Sequence, residues 1–307
     1  MNQQQNKSLL AGIIQSRGIY VVLLPGVVWY ILFAYFPLFG LSLAFKTFKA
    51  NLGIIGSPWI GLQNYVYVFR DQAFMEAVFR TIKINILRLL ITFPVPIILA
   101  LAINEVRVGR LKKILQTVYT FPNFLSWIIV SSILTNTLGQ NGFFNGLIVL
   151  LGGKSVNILG TAKYFLPLAY LSDIWKTAGW GAIIYLAAIA GIDVEQYEAA
   201  EIDGASRFQR IIHISLAGIK GTIVVMFILA MGYLMSAGFD QLFNISNAAT
   251  MKEAEILDMY IYRVTFKAAS DFSFSSAVSL LRSVINFVLL ISADRISKMI
   301  SGQGLFG

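Results

Sequence analysis

The stretch D-V-E-Q-Y-E-A-A-E-I-D-G-A-S-R-F-Q-R-I-I-H-I-S-L-A-G-I, Asp193 to Ile219, is a polar, helix-capped island inside a very apolar chain. Asp193 with Gln196 three residues on has the spacing of a capping box. Ser206 with Gln209 repeats it, and Asp203-Gly204 lies between them as a turn. The pattern predicts two short helices joined by a glycine bend, the first over Val194 to Ile202. That helix sets Glu195, Glu198 and Glu201 on one side, beside the small Ala199 and Ala200, so close docking and charge complementarity are both available. Caps establish structure and not a partner, since any water-facing loop between membrane helices can hold such a pair.

The rest of the chain says where this island sits. Hydrophobic residues make up 57% of the 307 and charged residues only 13%, with a mean hydropathy of +0.73. A soluble domain carries roughly 25% charged residues, so this chain belongs in a membrane. Lys and Arg number 24 against 15 Asp and Glu, but the cations cluster at the ends of apolar runs. That is a topology signal rather than the footprint of a nucleic-acid partner. The absence of cysteine excludes a disulfide framework, a thiolate metal site and a Cys nucleophile, and a single histidine excludes a multi-His metal site.

A helix crosses a bilayer with roughly 20 apolar residues, and six apolar runs of about that length are present. They lie between Arg17 and Lys46, over Ile84 to Asn104, from Ile114 to before the patch Gly139 to Gly146, over Tyr164 to Ala190, from Lys220 to about Phe239, and over Phe274 to Ala293. The first is too long, and lacks the small-residue cleavage site, to be a removed signal peptide. Lys7 and Arg17 precede the first span, and Arg107, Arg110, Lys112 and Lys113 crowd the second connection. Arg207, Arg210 and Lys220 lie in the fourth, and Arg295 and Lys298 follow the last. Short basic loops face the cytoplasm. The expected fold is therefore an all-α integral membrane protein with six transmembrane helices and both termini inside. Residues 193–219 form a cytoplasmic loop between spans four and five. Outer connections run from Thr47 to about Phe79, about Leu138 to Lys163, and about Asp240 to Phe272. No linker divides the chain, so residues 1–307 read as one membrane domain.

Glu198-Ala199-Ala200, Asp203-Gly204-Ala205-Ser206 and Ile214-Ser215-Leu216 resemble the EAA loop of permeases in binding-protein-dependent ATP-binding-cassette importers, at that family's place before the penultimate span. The segment Pro25 to Phe48, the run Ser57-Pro58-Trp59-Ile60-Gly61 and the run Phe121-Pro122-Asn123-Phe124-Leu125-Ser126-Trp127 resemble the carbohydrate branch, particularly its polysaccharide and complex-oligosaccharide members. The resemblance implies that the loop is a coupling helix seated in a groove of a cytoplasmic ATPase, with Glu198, Ala199, Ala200, Asp203, Gly204 and Arg207 in that role. It further implies a second, similar permease in a heterodimer, two ATPase subunits carrying ATP and Mg, an extracytoplasmic sugar-binding protein, and a carbohydrate cargo. No cofactor is implied on this chain. The sequence departs from the family at Ala217 and Gly221, where prolines are usual, which removes two rigid φ restraints and restores two N–H donors.

ATP hydrolysis by the chain itself is not expected. Gly152-Gly153-Lys154-Ser155 is its phosphate-loop candidate, but Ile148 stands where the motif requires glycine and no strand pattern precedes it. His213, among isoleucines, reads as a packing or interfacial residue, so no catalytic residue is assigned. Charges within spans are costly and call for a reason. Asp173 and Lys176, three apart on the fourth span, can pair on one face or line the path. Arg282 and Arg88 pose the same choice. Sugar recognition uses aromatic faces against C–H surfaces, for which Trp127, Trp175, Trp180 and Tyr185 are candidates; aromatic residues are also enriched at membrane interfaces.

Rival classes remain open at this level. A permease of the same importer class for another solute, such as peptide or an inorganic ion, shares the loop. An ion-coupled secondary transporter explains the buried charges but predicts internal repeats, which are not evident. A membrane scaffold or a polysaccharide-synthesis partner explains the hydropathy but not the EAA residues.

Overall fold

A computed structural model describes residues 16–267, 271–302, 304 and 305; Lys7, counted among the cytoplasmic charges, lies outside them. The described residues are helical and contain no strand beyond one antiparallel bridge, Lys46 with Trp59. Backbone contacts divide the chain into two units. One comprises residues up to Arg70 with Ala268–Leu280, the other Asp71–Lys267 with Leu281–Gly307.

The first unit opens with α1, Arg17–Tyr30, which continues through a π turn, Ile31–Tyr35, and a 3-10 stretch, Phe36–Phe45. No residue of α1 is buried, so lipid or another protein must cover its apolar surface. The loop that follows is held by side chains. Ser57 Oγ donates to the Gly53 carbonyl at 2.6 Å, and Lys46 Nζ donates to the Ile54 and Ile55 carbonyls at 2.8 and 3.1 Å. Trp59 stacks on Phe45 with ring centroids 5.5 Å apart. From α2, Gln63–Arg70, buried Asn64 donates to the Ala44 and Lys46 carbonyls at 2.9 and 3.0 Å. The run Ser57 to Gly61 is therefore a folded clasp.

The second unit begins with α3, Gln72–Thr92, capped by Asp71, whose carboxylate accepts from the Ala73 and Phe74 amides. It runs on through α4, Pro94–Asn104. Together they span Gln72–Asn104, starting well before the Ile84 expected from hydropathy, because the cap and not the first apolar residue starts a helix. The third apolar run is broken: α5, Gly109–Thr120, gives way to a 3-10 turn at Phe121–Phe124, and α6, Trp127–Leu138, restarts at Ser126. Pro122 supplies no N–H and Ser126 caps the next helix, so continuity is lost there. After α7, Phe143–Leu150, comes the long α8, Ala162–Ala190, with Asp173 and Lys176, two of the four in-span charges.

Next come α9, Val194–Ile202, as the caps predict, and α10, Arg207–Arg210, which continues as a π turn over Ile211–Leu216. Helix α11, Lys220–Gly232, stops short of the expected Phe239: a 3-10 turn, Leu234–Ser236, follows it, and Gly238 at φ +94° caps the start of α12, Phe239–Ile245. The chain closes with α13, Leu257–Tyr262, and α14, Phe272–Ser301. Three helices are long and apolar enough to cross a membrane: Arg17–Phe45, Gln72–Asn104 and Phe272–Met299. Three further helix pairs, bent by 100°, 73° and 60°, pass the same test together, so the described residues offer up to six spans.

Two clusters form the core of this unit. Ile84, Phe165, Ala169, Leu242 and Met259 meet in one; Ala100, Ala182, Tyr185, Ile189 and Ile219 meet in the other. Helix α8 contributes to both from opposite flanks: at 3.6 residues per turn, Ala182, Tyr185 and Ile189 fall about half a turn round the helix from Ala169.

Candidate functional site

Two places carry chemistry. The first is the island. Asp193 caps α9 through the Glu195 amide at 3.1 Å, so the expected partner Gln196 is not needed. The second cap is a full capping box, the Ser206 amide donating to Gln209 Oε1 at 2.7 Å and the Gln209 amide to Ser206 Oγ at 3.3 Å. Gly204 between them takes φ +79°, a conformation that side-chained residues avoid. Arg210 donates to Glu201 across the bend at 2.8 Å, which ties the two helices. The Tyr197 hydroxyl lies 2.9 Å from the buried Ser215 Oγ, anchoring α9 to the π turn.

Glu198, Ala199, Asp203, Gly204 and Arg207 are exposed and Ala200 is half-buried. Beside them stand apolar residues in the open: Ile202 at 87% and Phe208 at 71% exposure. The pair is capped at both starts and bonded internally, with these two large apolar side chains uncovered beside its polar residues. Ile202 and Phe208 lie within the quoted stretch, but a reading based on caps and acids passes over them. His213 is exposed and its Nδ1 lies 3.0 Å from the Gln209 carbonyl in its own helix turn.

The second place is a cavity of about 470 Å³ in the second unit, walled by α3, α4, α8 and α11 and by the Tyr233–Ala237 link. Trp180 and Tyr185 line it, together with Asn85, Arg88, Thr177 and Tyr233. Trp127 and Trp175 do not. Trp127 is half-buried with Lys176 Nζ 5.6 Å from its ring centre, and Trp175 is exposed.

The pair expected between Asp173 and Lys176 is not formed. Lys176 is buried and donates instead to the Asn123 carbonyl at 2.8 Å, an acceptor freed by the break at Pro122. Asp173 Oδ2 lies 3.9 Å from Arg88 Nε. Helical spacing permits an i,i+3 pair, but neighbouring helices offer partners at better geometry. Arg88 also donates from Nη2 to Gln241 Oε1 at 2.6 Å, and Gln241, itself buried, donates to Ser172 Oγ at 3.0 Å and to the Ala169 carbonyl. Gln241 stands in what hydropathy marks as an outer connection, so nothing in the sequence announces its burial. Arg282 pairs outside this cavity, with Asp258 of α13. Burial pushes the Asp258 carboxyl above its usual range, against the opposing pull of Arg282.

Fold and sequence together define a helical, multi-pass membrane protein that carries a capped, polar helix pair. Residues 92–302 match the family described as binding-protein-dependent transport system inner membrane component, and the chain belongs to that family. It is 39% identical over 305 residues to the polygalacturonan/rhamnogalacturonan transport system permease protein YteP of Bacillus subtilis (strain 168), covering 99% of this chain and 95% of that one. It is 38% identical to protein LplB of the same organism, covering 97% and 94% of the two chains. Among solved structures, a bacterial ABC transporter involved in import of the acidic polysaccharide alginate contains a chain that superposes with a TM-score of 0.86 at 33% identity, over 96% of this chain and 99% of that one. A bacterial alginate ABC transporter in complex with an alginate pentasaccharide-bound periplasmic protein superposes equally well, with a TM-score of 0.86 at 32% identity, over 97% and 99%. The ion-coupled and scaffold readings are thereby set aside.

Proposed function

We propose that this chain is one of two permease halves of an ATP-driven importer of oligo- or polysaccharides in the cell membrane. It crosses the bilayer six times with both termini inside, as a single permease domain over residues 1–307. Segment 193–219 is its cytoplasmic coupling loop. Glu198, Ala199, Ala200, Asp203, Gly204 and Arg207 contact a separate ATPase subunit, with Ile202 and Phe208 as the apolar anchors. ATP and Mg are handled by two such subunits, and this chain holds no cofactor and catalyses nothing itself. A loaded extracytoplasmic sugar-binding protein delivers cargo to the outer connections. Closure of the ATPases then pulls the loop and alternates access to a path that the two permeases enclose, with Trp180 and Tyr185 facing the sugar. Of the other candidates, Asp173 stands beside Arg88 at the edge of that path, whereas Trp127, Trp175, Lys176 and Arg282 do not line it.

The observation that carries this reading is the exposed, doubly capped helix pair on a chain of this family. The sugar class rests on the relatives, which include permeases of polysaccharide transport. Affinity purification of the tagged chain from native membranes, with mass spectrometry and an ATPase assay, tests it. An ATPase, a second permease and a sugar-binding protein are expected to co-purify, and the ATPase to be lost from Gly204→Asp. A lone chain that transports without ATP would sink the proposal.

A further inference from the structure

The segment from Ile192 to Ile219 closes on itself as a hairpin with rungs at its root, middle and tip, each nearer the Gly204 bend than the last. At the root, a Cβ on Gly218 would fall 2.6 Å from Ile192 Cδ1, so the exit of the hairpin rests against its entrance. In the middle, the hydroxyls of Tyr197 and Ser215 lie 2.9 Å apart. Near the tip, Arg210 pairs with Glu201 at 2.8 Å. These rungs are not equal. The Glu201 side chain is 71% exposed, and an ion pair so open to solvent contributes little. Ser215 is 1% exposed, and a buried hydroxyl deprived of its partner bears its full desolvation cost, so the middle rung is the one that holds. The return arm has no other brace. No proline stands between Ser206 and Lys220, so no ring fixes φ there. Over Ile211–Leu216 it is a π turn, a form rarely sustained beyond a single turn. Stiffness between tip and root therefore has to come from side chains.

The root leads into the interior. Ile192 packs against the cluster that holds Ala182, Tyr185, Ile189 and Ile219. Ile219, fully buried, follows Gly218 directly, and Tyr185 of the same cluster lines the cavity. At the opposite end stand the exposed Ile202 and Phe208. A contiguous set of contacts thus runs from the tip of the hairpin to the cavity wall, which is the physical requirement for carrying a displacement between them. We propose, resting on the coupling reading above, that Tyr197 and Ser215 are positioning residues for transport. Their hydrogen bond makes the hairpin one stiff lever, so that displacement of Ile202 and Phe208 by the ATPase moves Ile219 and, with it, Tyr185 in the cavity wall. Without the bond the two arms slide past each other, and ATP is hydrolysed without opening the path.

The test uses the complete complex in nanodiscs. Because the natural chain has no cysteine, Thr177→Cys gives it a single thiol in the cavity wall. The rate at which N-ethylmaleimide alkylates that thiol, read by mass spectrometry of this chain, reports access to the cavity with and without trapping by ATP and vanadate. Trapping is expected to change the rate in the Thr177→Cys parent. Adding Tyr197→Phe or Ser215→Ala is expected to shrink that change roughly twofold to tenfold, the effect of one hydrogen bond, while the ATPase subunits stay bound and their untrapped hydrolysis rate is unchanged. The two substitutions together are expected to do no more than either alone, since both remove the same bond. A merely structural loss would instead be additive and release the ATPase. A parent-like response in either assembled variant, additive losses in the double one, or release of the ATPase by either substitution overturns the proposal. Should Tyr197→Phe fail to assemble, Ser215→Ala, which removes a single oxygen, decides alone. A parent that holds its ATPase but whose thiol ignores trapping overturns the lever while leaving the coupling reading intact. A parent that holds no ATPase removes the coupling reading itself.

Discussion

Gly204 and Gly238 both take positive φ, yet their surroundings assign them different consequences. A Cβ at Gly204 meets nothing within 4 Å, so Gly204→Asp costs at most the backbone term of about 1–2 kcal/mol. Membrane insertion and melting temperature are expected to change little while transport is abolished, measured as substrate uptake against immunoblotted membrane protein. At Gly238 the same atom would fall on the Arg88 guanidinium. Gly238→Ala therefore adds an overpacking cost to the backbone one, about 2–5 kcal/mol together. Its complex is expected to melt several degrees lower in detergent; an unchanged melting curve would contradict the close approach. Tyr260 offers a third residue-scale check. Burial foremost, then the hydrogen bond its hydroxyl donates to Asp71 Oδ2 at 2.6 Å, raises this phenol above the usual tyrosine range. A folded pKa above the unfolded value means the contribution is fully present below about pH 10 and lost as pH rises beyond it. Ultraviolet titration of wild type minus Tyr260→Phe is expected to show no phenolate from this residue at pH 11 while the protein stays folded.

At the scale of elements, α8 organises the interior. Over its 29 residues it carries Asp173 toward Arg88, Lys176 toward the Asn123 carbonyl, and Trp180 and Tyr185 toward the cavity. Gly179 lets it approach α5 so closely that a Cβ there would fall on the Tyr119 carbonyl. Backbone cannot yield as a flexible side chain can, so Gly179→Val is expected to prevent assembly, whereas Gly181→Ala, which meets only the Pro96 ring at 3.1 Å, is tolerated. Size-exclusion profiles of the two variants separate these outcomes. The island behaves differently, since its caps act locally. Removing the capping box with Ser206→Ala costs about 1 kcal/mol of local helix stability. The expected readout is weaker stimulation of ATPase activity with assembly retained.

For the whole molecule, the natural absence of cysteine makes topology directly measurable. Single cysteines at Ser206 and Lys154 are expected to react with a membrane-impermeant maleimide from opposite faces of the membrane, Ser206 from the cytoplasmic one. Labelling of both from the same face would contradict six spans with the termini inside. The apolar surface of α1, with no buried residue, has the same molecular-scale meaning: the chain is stable only where lipid or a partner covers that surface.

Hydropathy, basic loop ends and caps determined much by themselves: a helical membrane chain, the bounds of α8 and α9 within two residues, and a glycine bend set in an exposed island. These are local properties, decided by a side chain's transfer energy and by hydrogen bonds between residues three or four apart, so they can be read along the chain. Where helices stop was less legible. The third run breaks at Pro122 because a missing N–H overrides a continuous apolar pattern, and the fifth gives way at Tyr233 to the 3-10 turn Leu234–Ser236. What only the tertiary structure decided is which charge meets which. Lys176 leaves Asp173 for a carbonyl 53 positions away in the chain, and Gln241 reaches Arg88 across 153. In a low-dielectric interior every polar group must find a partner wherever the fold supplies one, and that choice depends on which helices become neighbours rather than on which residues are adjacent in the chain.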